Sequence, residues 1–216
     1  MRINKYLAQK KISTRRGADL LIKDKKVFIN GKLALLGSKV NEKDKVEVKG
    51  DTPREYVYFA YNKPVGEETS SPREDLFPLG RLDKASSGLL ILTNDGRITD
   101  QLLNPKYIHE KEYLVKTKEK LRSNFKQKME AGVNIEGYTT APCKVKIIND
   151  NTFRVTLTEG KKHQIRRMCA NLFQEVAELK RERIMNIKLG TLKPKGLREI
   201  KGEELTTFLN QVLHQS

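Results

Sequence analysis

Six consecutive residues, Gly88-Leu89-Leu90-Ile91-Leu92-Thr93, limit what this chain can fold into more than any other stretch. They make a short apolar run with turn residues at both ends, the pattern of a buried strand. Asn94-Asp95-Gly96 is then expected to turn the chain, because Asn and Gly accept positive φ at low cost. Upstream lies Gly80-Arg81-Leu82-Asp83-Lys84-Ala85-Ser86-Ser87, a loop of small and flexible residues. A carboxylate there, beside a rigid strand, is well placed for chemistry. Taken alone, an aspartate in such a loop more often makes a turn or caps a short helix.

Charge narrows the partner. The chain has 216 residues and a formal net charge of +16. Residues 1–50 hold 14 Lys and Arg against 5 Asp and Glu, a net of +9, which leaves +7 for all the rest. A basic module this lopsided points to a polyanion, and nucleic acid fits better than an anionic membrane. No basic amphipathic helix with aromatic anchors is present to favour the membrane. No run of about 18 apolar residues occurs and the first residues lack the apolar core of a signal peptide, so a cytoplasmic protein is expected. Cys143 and Cys169 form no Cys-x-x-Cys pair and have no His at ligand spacing, so they read as structural thiols, and no metal is expected. The three histidines, His109, His163 and His214, do not cluster in sequence.

Taken in order, residues 2–11 read as a short helix with Ile3, Tyr6 and Leu7 on one face. Ser13 or Thr14 is placed to cap a second helix over 15–23, buried through Ala18, Leu21 and Ile22. Val27 and Ile29 begin a short strand, Asn30-Gly31 is a hairpin signal, and Val46 and Val48 alternate with charges in a last strand. Residues 51–55 carry a proline and polar side chains and read as a linker. Residues 56–61 read as a strand, 97–104 as a helix stopped by Pro105, 110–116 as a strand and 121–131 as an amphipathic helix. Two strands are expected at 140–148 and 152–158, then a Gly-containing loop opening a helix near Gln164, and a closing helix over 203–212. The strand-rich order between 56 and 189 fits an α+β fold.

Several of these strings carry a family resemblance. Gly80-Arg81-Leu82-Asp83-x-x-Ser86-x-Gly88-Leu89-Leu90 is similar to the central motif of the pseudouridine synthases, in particular the branch of RsuA, RluB, RluE and RluF. Asn62-Lys63-Pro64-Val65-Gly66, Lys111-x-Tyr113-Leu114-Val115 and His163-Gln164-Ile165-Arg166-Arg167-Met168 resemble further motifs of that family. Residues 110–115, 143–146 and 181–186 are similar to RluF-type sequences. Residues 1–49, through Arg2, Tyr6-Leu7, Ser13, Arg15-Arg16, Val27-x-Ile29-Asn30-Gly31 and Asp44-x-Val46, resemble the S-four-type RNA-binding module. After Gly66 the chain departs from the pattern: Glu67-Glu68-Thr69-Ser70-Ser71-Pro72 replaces apolar residues and reads as a trimmed or mobile loop.

The resemblance implies a small α/β RNA-binding domain over 1–50, a linker over 51–55, and a catalytic domain over 56–216. The catalytic domain would have a central mixed, largely antiparallel sheet flanked by helices. It implies isomerisation of uridine to pseudouridine within RNA, without a cofactor, by a monomer. Ribosomal RNA, the large-subunit RNA first, is the expected substrate, with small-subunit RNA or tRNA as the alternative. Asp83 would be the essential carboxylate, Arg166 its basic partner, and Tyr113 the aromatic residue on the uracil. Attack at the anomeric carbon, attack at uracil carbon-6 and removal of the ribose 2′ proton all stay open for Asp83. Arg15, Arg16, Lys23, Lys25, Lys26, Lys63, Arg81, Lys161, Lys162 and Arg167 are expected to face RNA. Two rival readings remain at this point, a non-catalytic RNA-binding assembly protein and a nucleoside hydrolase or glycosidase. The second lacks a clear place for the second carboxylate that most glycosidases need.

Overall fold

A computed structural model describes residues 1–10, 12–13, 15–50, 55–104 and 106–213; the Arg16 side chain lies outside the description. Most of the linker expected at 51–55 therefore lies outside the described residues, as do Thr14 as a cap and Pro105 as a helix stop. The chain separates into two compact units, Met1–Val57 with Asn94–Thr99, and Tyr58–Thr93 with Asp100–Ser216.

The first unit holds α1 (Ile3–Gln9), α2 (Arg15–Lys23), β1 (Val27–Ile29), β2 (Lys32–Leu33) and β3 (Val46–Val48). The strands form an antiparallel sheet in the order β2-β1-β3. Asn30 and Gly31 both take positive φ, 50° and 77°, which lets a two-residue turn match the twist of the strands it joins. Ile3, Leu7, Ala18 and Ile22, at helical spacing, close the core with Val27, Ala34 and Val40; all are buried, with Tyr6 and Leu21 packed against them.

The second unit is built on a nine-stranded sheet. In chain order its elements are β4 (Tyr58–Lys63), β5 (Phe77–Leu79), β6 (Ser87–Thr93), α3 (Thr99–Leu103), β7 (Lys111–Thr117), α4 (Phe125–Glu130), β8 (Asn134–Ile135) and β9 (Tyr138–Thr139). Then come β10 (Lys144–Asn149), β11 (Thr152–Leu157), α5 (Gln164–Asn171), β12 (Val176–Ile184), β13 (Ile187–Lys188), β14 (Leu197–Glu199) and α6 (Gly202–Leu213). The sheet runs β10-β11-β7-β12-β6-β4-β14, with β5 added on β6 and β13 on β12. Among the described residues only β12 and β6 pair in parallel, so the sheet is mixed and largely antiparallel, as expected. Leu89, Leu90, Ile91 and Leu92 are fully buried, which explains why β6 reads as an unbroken apolar run rather than an alternation. One side of the sheet packs on α4 and α5 through Val115, Phe125, Met129, Phe153, Ile165 and Met168.

Some boundaries differ from the sequence reading. β4 begins two residues later than expected and runs on through Asn62 and Lys63, which pair with Leu89 and Gly88 of β6. The helix expected over 97–104 is split into a 3-10 turn, Gly96–Ile98, and α3. Asn94 and Gly96 are absent from the positive-φ residues. The chain turns there because the Asp95 carboxylate accepts from the Arg97 amide at 3.0 Å and opens the 3-10 turn. The loop after Gly66 is tied down: Thr69 Oγ1 donates to the Leu82 carbonyl at 2.7 Å and accepts from the Leu82 amide at 2.9 Å. Glu67 also pairs with Lys195 at 2.7 Å. These contacts replace the apolar packing whose absence suggested a mobile segment.

Candidate active site

The second unit contains a cavity of about 890 Å³. Its walls come from the loop between β5 and β6, from α3, from β7 and from the loop that opens α5. Asp83, Tyr113, Arg81, Lys161 and Lys162 all line it.

Asp83 sits on the loop that β6 anchors, and a turn closed by the Ser86 amide on the Asp83 carbonyl, at 3.0 Å, fixes its backbone. Ser86 Oγ donates to Asp83 Oδ2 at 3.1 Å. Arg166 Nε lies 3.7 Å from Oδ2, and His163 Nε2 lies 3.6 Å from Oδ1. The carboxylate thus faces a cation on one side and an imidazole on the other, and remains about 29% exposed to the cavity. Arg166 is itself held by three acceptors: the carbonyls of Val176 (3.2 Å) and Ala85 (3.0 Å), and Ser86 Oγ (3.4 Å). A planar guanidinium fixed at several points gives its neighbour a defined direction, which an ammonium does not.

The helix that carries Arg166 starts in an unusual way. His163 precedes it with φ of 52°, a left-handed backbone, and makes no side-chain cap. Gln164 instead ties the helix start to the loop before it: its Oε1 accepts from the Lys161 amide at 2.9 Å and its Nε2 donates to Glu159 at 2.6 Å. Glu159 also accepts from the Tyr138 hydroxyl and the Ala141 amide, so this acid is committed to the frame.

Tyr113 and Lys111 stand two residues apart on β7, on one face, and both line the cavity. Burial, with Arg181 nearby, holds the Lys111 amine below the ordinary lysine range. Arg181 is 3% exposed and donates to the Leu89 carbonyl at 2.7 Å and, at 3.5 Å, to that of Arg81. It links β12 to the Asp83 loop. Leu179 and Ile184 add apolar wall beside it.

The ten residues expected to face RNA fall into different settings. Arg15, Lys23, Lys25, Arg81, Lys161 and Lys162 are exposed, and Lys26 is half-buried. Lys63 is a correction. It is 1% exposed, and its Nζ donates to the carbonyls of Pro64 (2.8 Å) and Glu67 (2.7 Å), so it braces the turn instead of meeting a phosphate. Arg167 is spent partly inside the protein, on Glu136 at 2.6 Å and the Ile135 carbonyl at 3.3 Å. Burial pushes the Cys143 and Cys169 thiols up to about 11 and about 12, as suits packing groups rather than nucleophiles.

Sequence reasoning missed His163, Lys111 and Arg181 as site residues. The first two had signals, one beside the Gln-Ile-Arg string and the other at strand spacing from Tyr113. Arg181 opens an RluF-like string, but its place beside the Asp83 loop depends on the pairing of β12 with β6.

The family model for RNA pseudouridylate synthase matches residues 57–171. The chain belongs to the RNA pseudouridine synthases. An S4 domain matches residues 1–46 of the same synthase. The synthase is 39% identical to the dual-specificity RNA pseudouridine synthase RluF of Escherichia coli K12, over all of this chain and 81% of that protein. It is 35% identical to ribosomal large subunit pseudouridine synthase B of Bacillus subtilis 168, over 94% of this chain and 93% of that one. A solved pseudouridylate synthase superposes with a TM-score of 0.71 at 27% identity, covering 99% of this chain and all of that one. The synthase is thus an enzyme acting on RNA. No helix among the described residues is long and apolar enough to cross a membrane.

Proposed function

We propose that this synthase converts a uridine of large-subunit ribosomal RNA to pseudouridine. Residues 56–216 would be the catalytic domain, residues 1–50 an RNA-binding domain, and 51–55 the linker. The name of the Bacillus subtilis relative, a ribosomal large subunit pseudouridine synthase, and the RluF-like strings support ribosomal RNA. The observation that carries the chemistry is the carboxylate of Asp83, set between Arg166 and His163 at the edge of a cavity that also holds Tyr113.

In this reading the target uridine leaves its stack and enters the cavity, at a cost of a few kcal/mol that contacts to the flanking RNA offset. The bond from the ribose anomeric carbon to uracil nitrogen-1 breaks, the base turns, and a bond forms from the same ribose carbon to carbon-5. Carbon-5 loses a proton and nitrogen-1 gains one, so the reaction is balanced without a redox partner. Asp83 acts as an ionised carboxylate held in direction by Arg166, and Tyr113 stacks on the uracil. Arg81, Lys161 and Lys162 surround the opening and neutralise phosphates. The enzyme works as a cytoplasmic monomer.

Pseudouridine mapping by carbodiimide and primer extension, on total RNA from cells with and without the gene, tests this. Loss of a stop in large-subunit RNA is the expected result. Loss only in small-subunit RNA or tRNA overturns the substrate, and no loss anywhere overturns the proposal.

A further inference from the structure

The turn that ends α5 holds a residue that the cavity does not explain. Phe173 follows the helix C-cap, Leu172, and lies in the left-handed region with φ of 59°. Glycine is the usual occupant of that position, because a Cβ strains it, and a bulky side chain there is an outlier. The turn is firmly closed: the Phe173 amide donates to the Ala170 carbonyl and the Gln174 amide to the Cys169 carbonyl, both at 2.9 Å. Burial of the ring does not offset the strain, since Phe173 is 72% exposed.

What the ring meets is a cation. Arg122 Cζ lies 4.6 Å from the ring centroid. Arg122 belongs to a basic stretch: residues 116–128 hold Lys116, Lys118, Lys120, Arg122, Lys126 and Lys128 against a single acid, Glu119. All six of these basic residues are exposed. Lys116, Lys118 and Lys120 have carboxylate partners, Glu178, Glu175 and Asp150, on the surface. Among the described residues no carboxylate stands within ion-pair distance of Arg122, Lys126 or Lys128. The stretch is bound to the Phe173 turn by the Lys118 amide on the Glu175 carbonyl (2.9 Å) and the Glu175 amide on Glu119 Oε2 (3.1 Å). Phe173 does not line the catalytic cavity, yet it ends the helix whose start borders it, roughly 12 Å away by helix rise.

We propose that Phe173 is a stacking platform for an unpaired base of the substrate RNA that lies outside the catalytic cavity. Arg122 covers one face of the ring, the base takes the other, and the 116–128 stretch neutralises the phosphates beside it. A ring set among lysines suits a polyanion with aromatic bases better than a protein surface, which would bring apolar area to meet it. The strained backbone presents the ring outward, with Arg122 against it and most of its surface open to a partner.

Phe173→Gly tests this, because it removes the ring and relieves the backbone together. Its Tm should equal or exceed that of the parent protein. Its Kd for a fluorescein-labelled single-stranded RNA oligomer, and its KM for tritium release from a ribosomal RNA transcript, should rise about 5- to 100-fold, with the loss falling on KM rather than kcat. Phe173→Trp should stay within about two-fold of the parent, since stacking tolerates a larger ring. Unchanged Kd and KM in Phe173→Gly overturn the proposal, as does an equal loss in Phe173→Trp. If the parent protein releases no tritium from any ribosomal transcript, the substrate reading fails, while the oligomer titration still decides the role of Phe173.

Discussion

Gly88 and Arg181 meet backbone against backbone: a Cβ on Gly88 would lie 2.2 Å from the Arg181 carbonyl oxygen and 2.7 Å from its amide nitrogen. Among the described residues this is the one parallel junction of the sheet, and it joins the strand after Asp83 to the strand that carries Arg181. Gly88 also holds φ of 106°, outside the range of ordinary side chains. Gly88→Ala should therefore part β6 from β12 at the edge of the active site. We expect a loss of about 3 kcal/mol or more in urea unfolding, from overpacking and backbone strain together. A loss under about 1 kcal/mol would mean that the junction relaxes without cost.

Variants of Asp83 and Arg166 test the roles proposed for them by separating binding from chemistry. Asp83→Asn keeps the size and the Ser86 contact and removes the charge. Turnover should fall by more than about a thousand-fold while RNA affinity holds, read by parallel tritium-release and binding assays. Arg166→Lys keeps charge but cannot reach Val176, Ala85 and Ser86 together. Turnover there should fall about ten- to a hundred-fold, a loss of direction rather than of attraction.

His109 makes stability depend on pH. The ring is 1% exposed, its Nε2 lies 2.7 Å from the Gln101 carbonyl, and its Nδ1 has no partner. Nε2 must carry the hydrogen to bond that carbonyl, so protonation places a second N–H where nothing accepts it. Burial accordingly holds the imidazole below its ordinary 6.5. The unfolded chain then binds the proton more readily than the folded one. Stability is complete above about pH 6.5 and falls as pH drops from there towards the lowered folded value, by at most about 1.4 kcal/mol per pH unit. Urea titrations between pH 7 and 5 should show this slope, and His109→Gln should flatten it.

The basic face of the first unit should reveal itself through salt. Lys23 and Lys25 are exposed at the end of α2 and just beyond it. If each neutralises a phosphate, the double variant Lys23→Ala, Lys25→Ala lowers the slope of log K against log salt by about 0.7–0.9 per lysine. An unchanged slope in fluorescence titrations would place the RNA elsewhere on this unit.

The sequence alone determined the elements whose signal is local. β6 announced itself as an apolar run, α1 and α2 through apolar spacing, and the hairpin through Asn30-Gly31. The candidate site residues Asp83, Tyr113 and Arg166 each stand in a short local string, since each string fixes one loop or strand. Tertiary structure alone decided which side chains reach across. Lys63 carries a charge and reads as a surface residue, yet β4 runs deep enough that its amine must satisfy two carbonyls inside the turn. His163 reaches Asp83 because a left-handed residue opens α5, a backbone state that a histidine does not signal. Arg181 arrives beside the active loop only through the parallel register of β12 on β6, formed between residues more than 90 apart. Pairing over that separation is set by the closing of the whole sheet, and no window of neighbouring residues contains it.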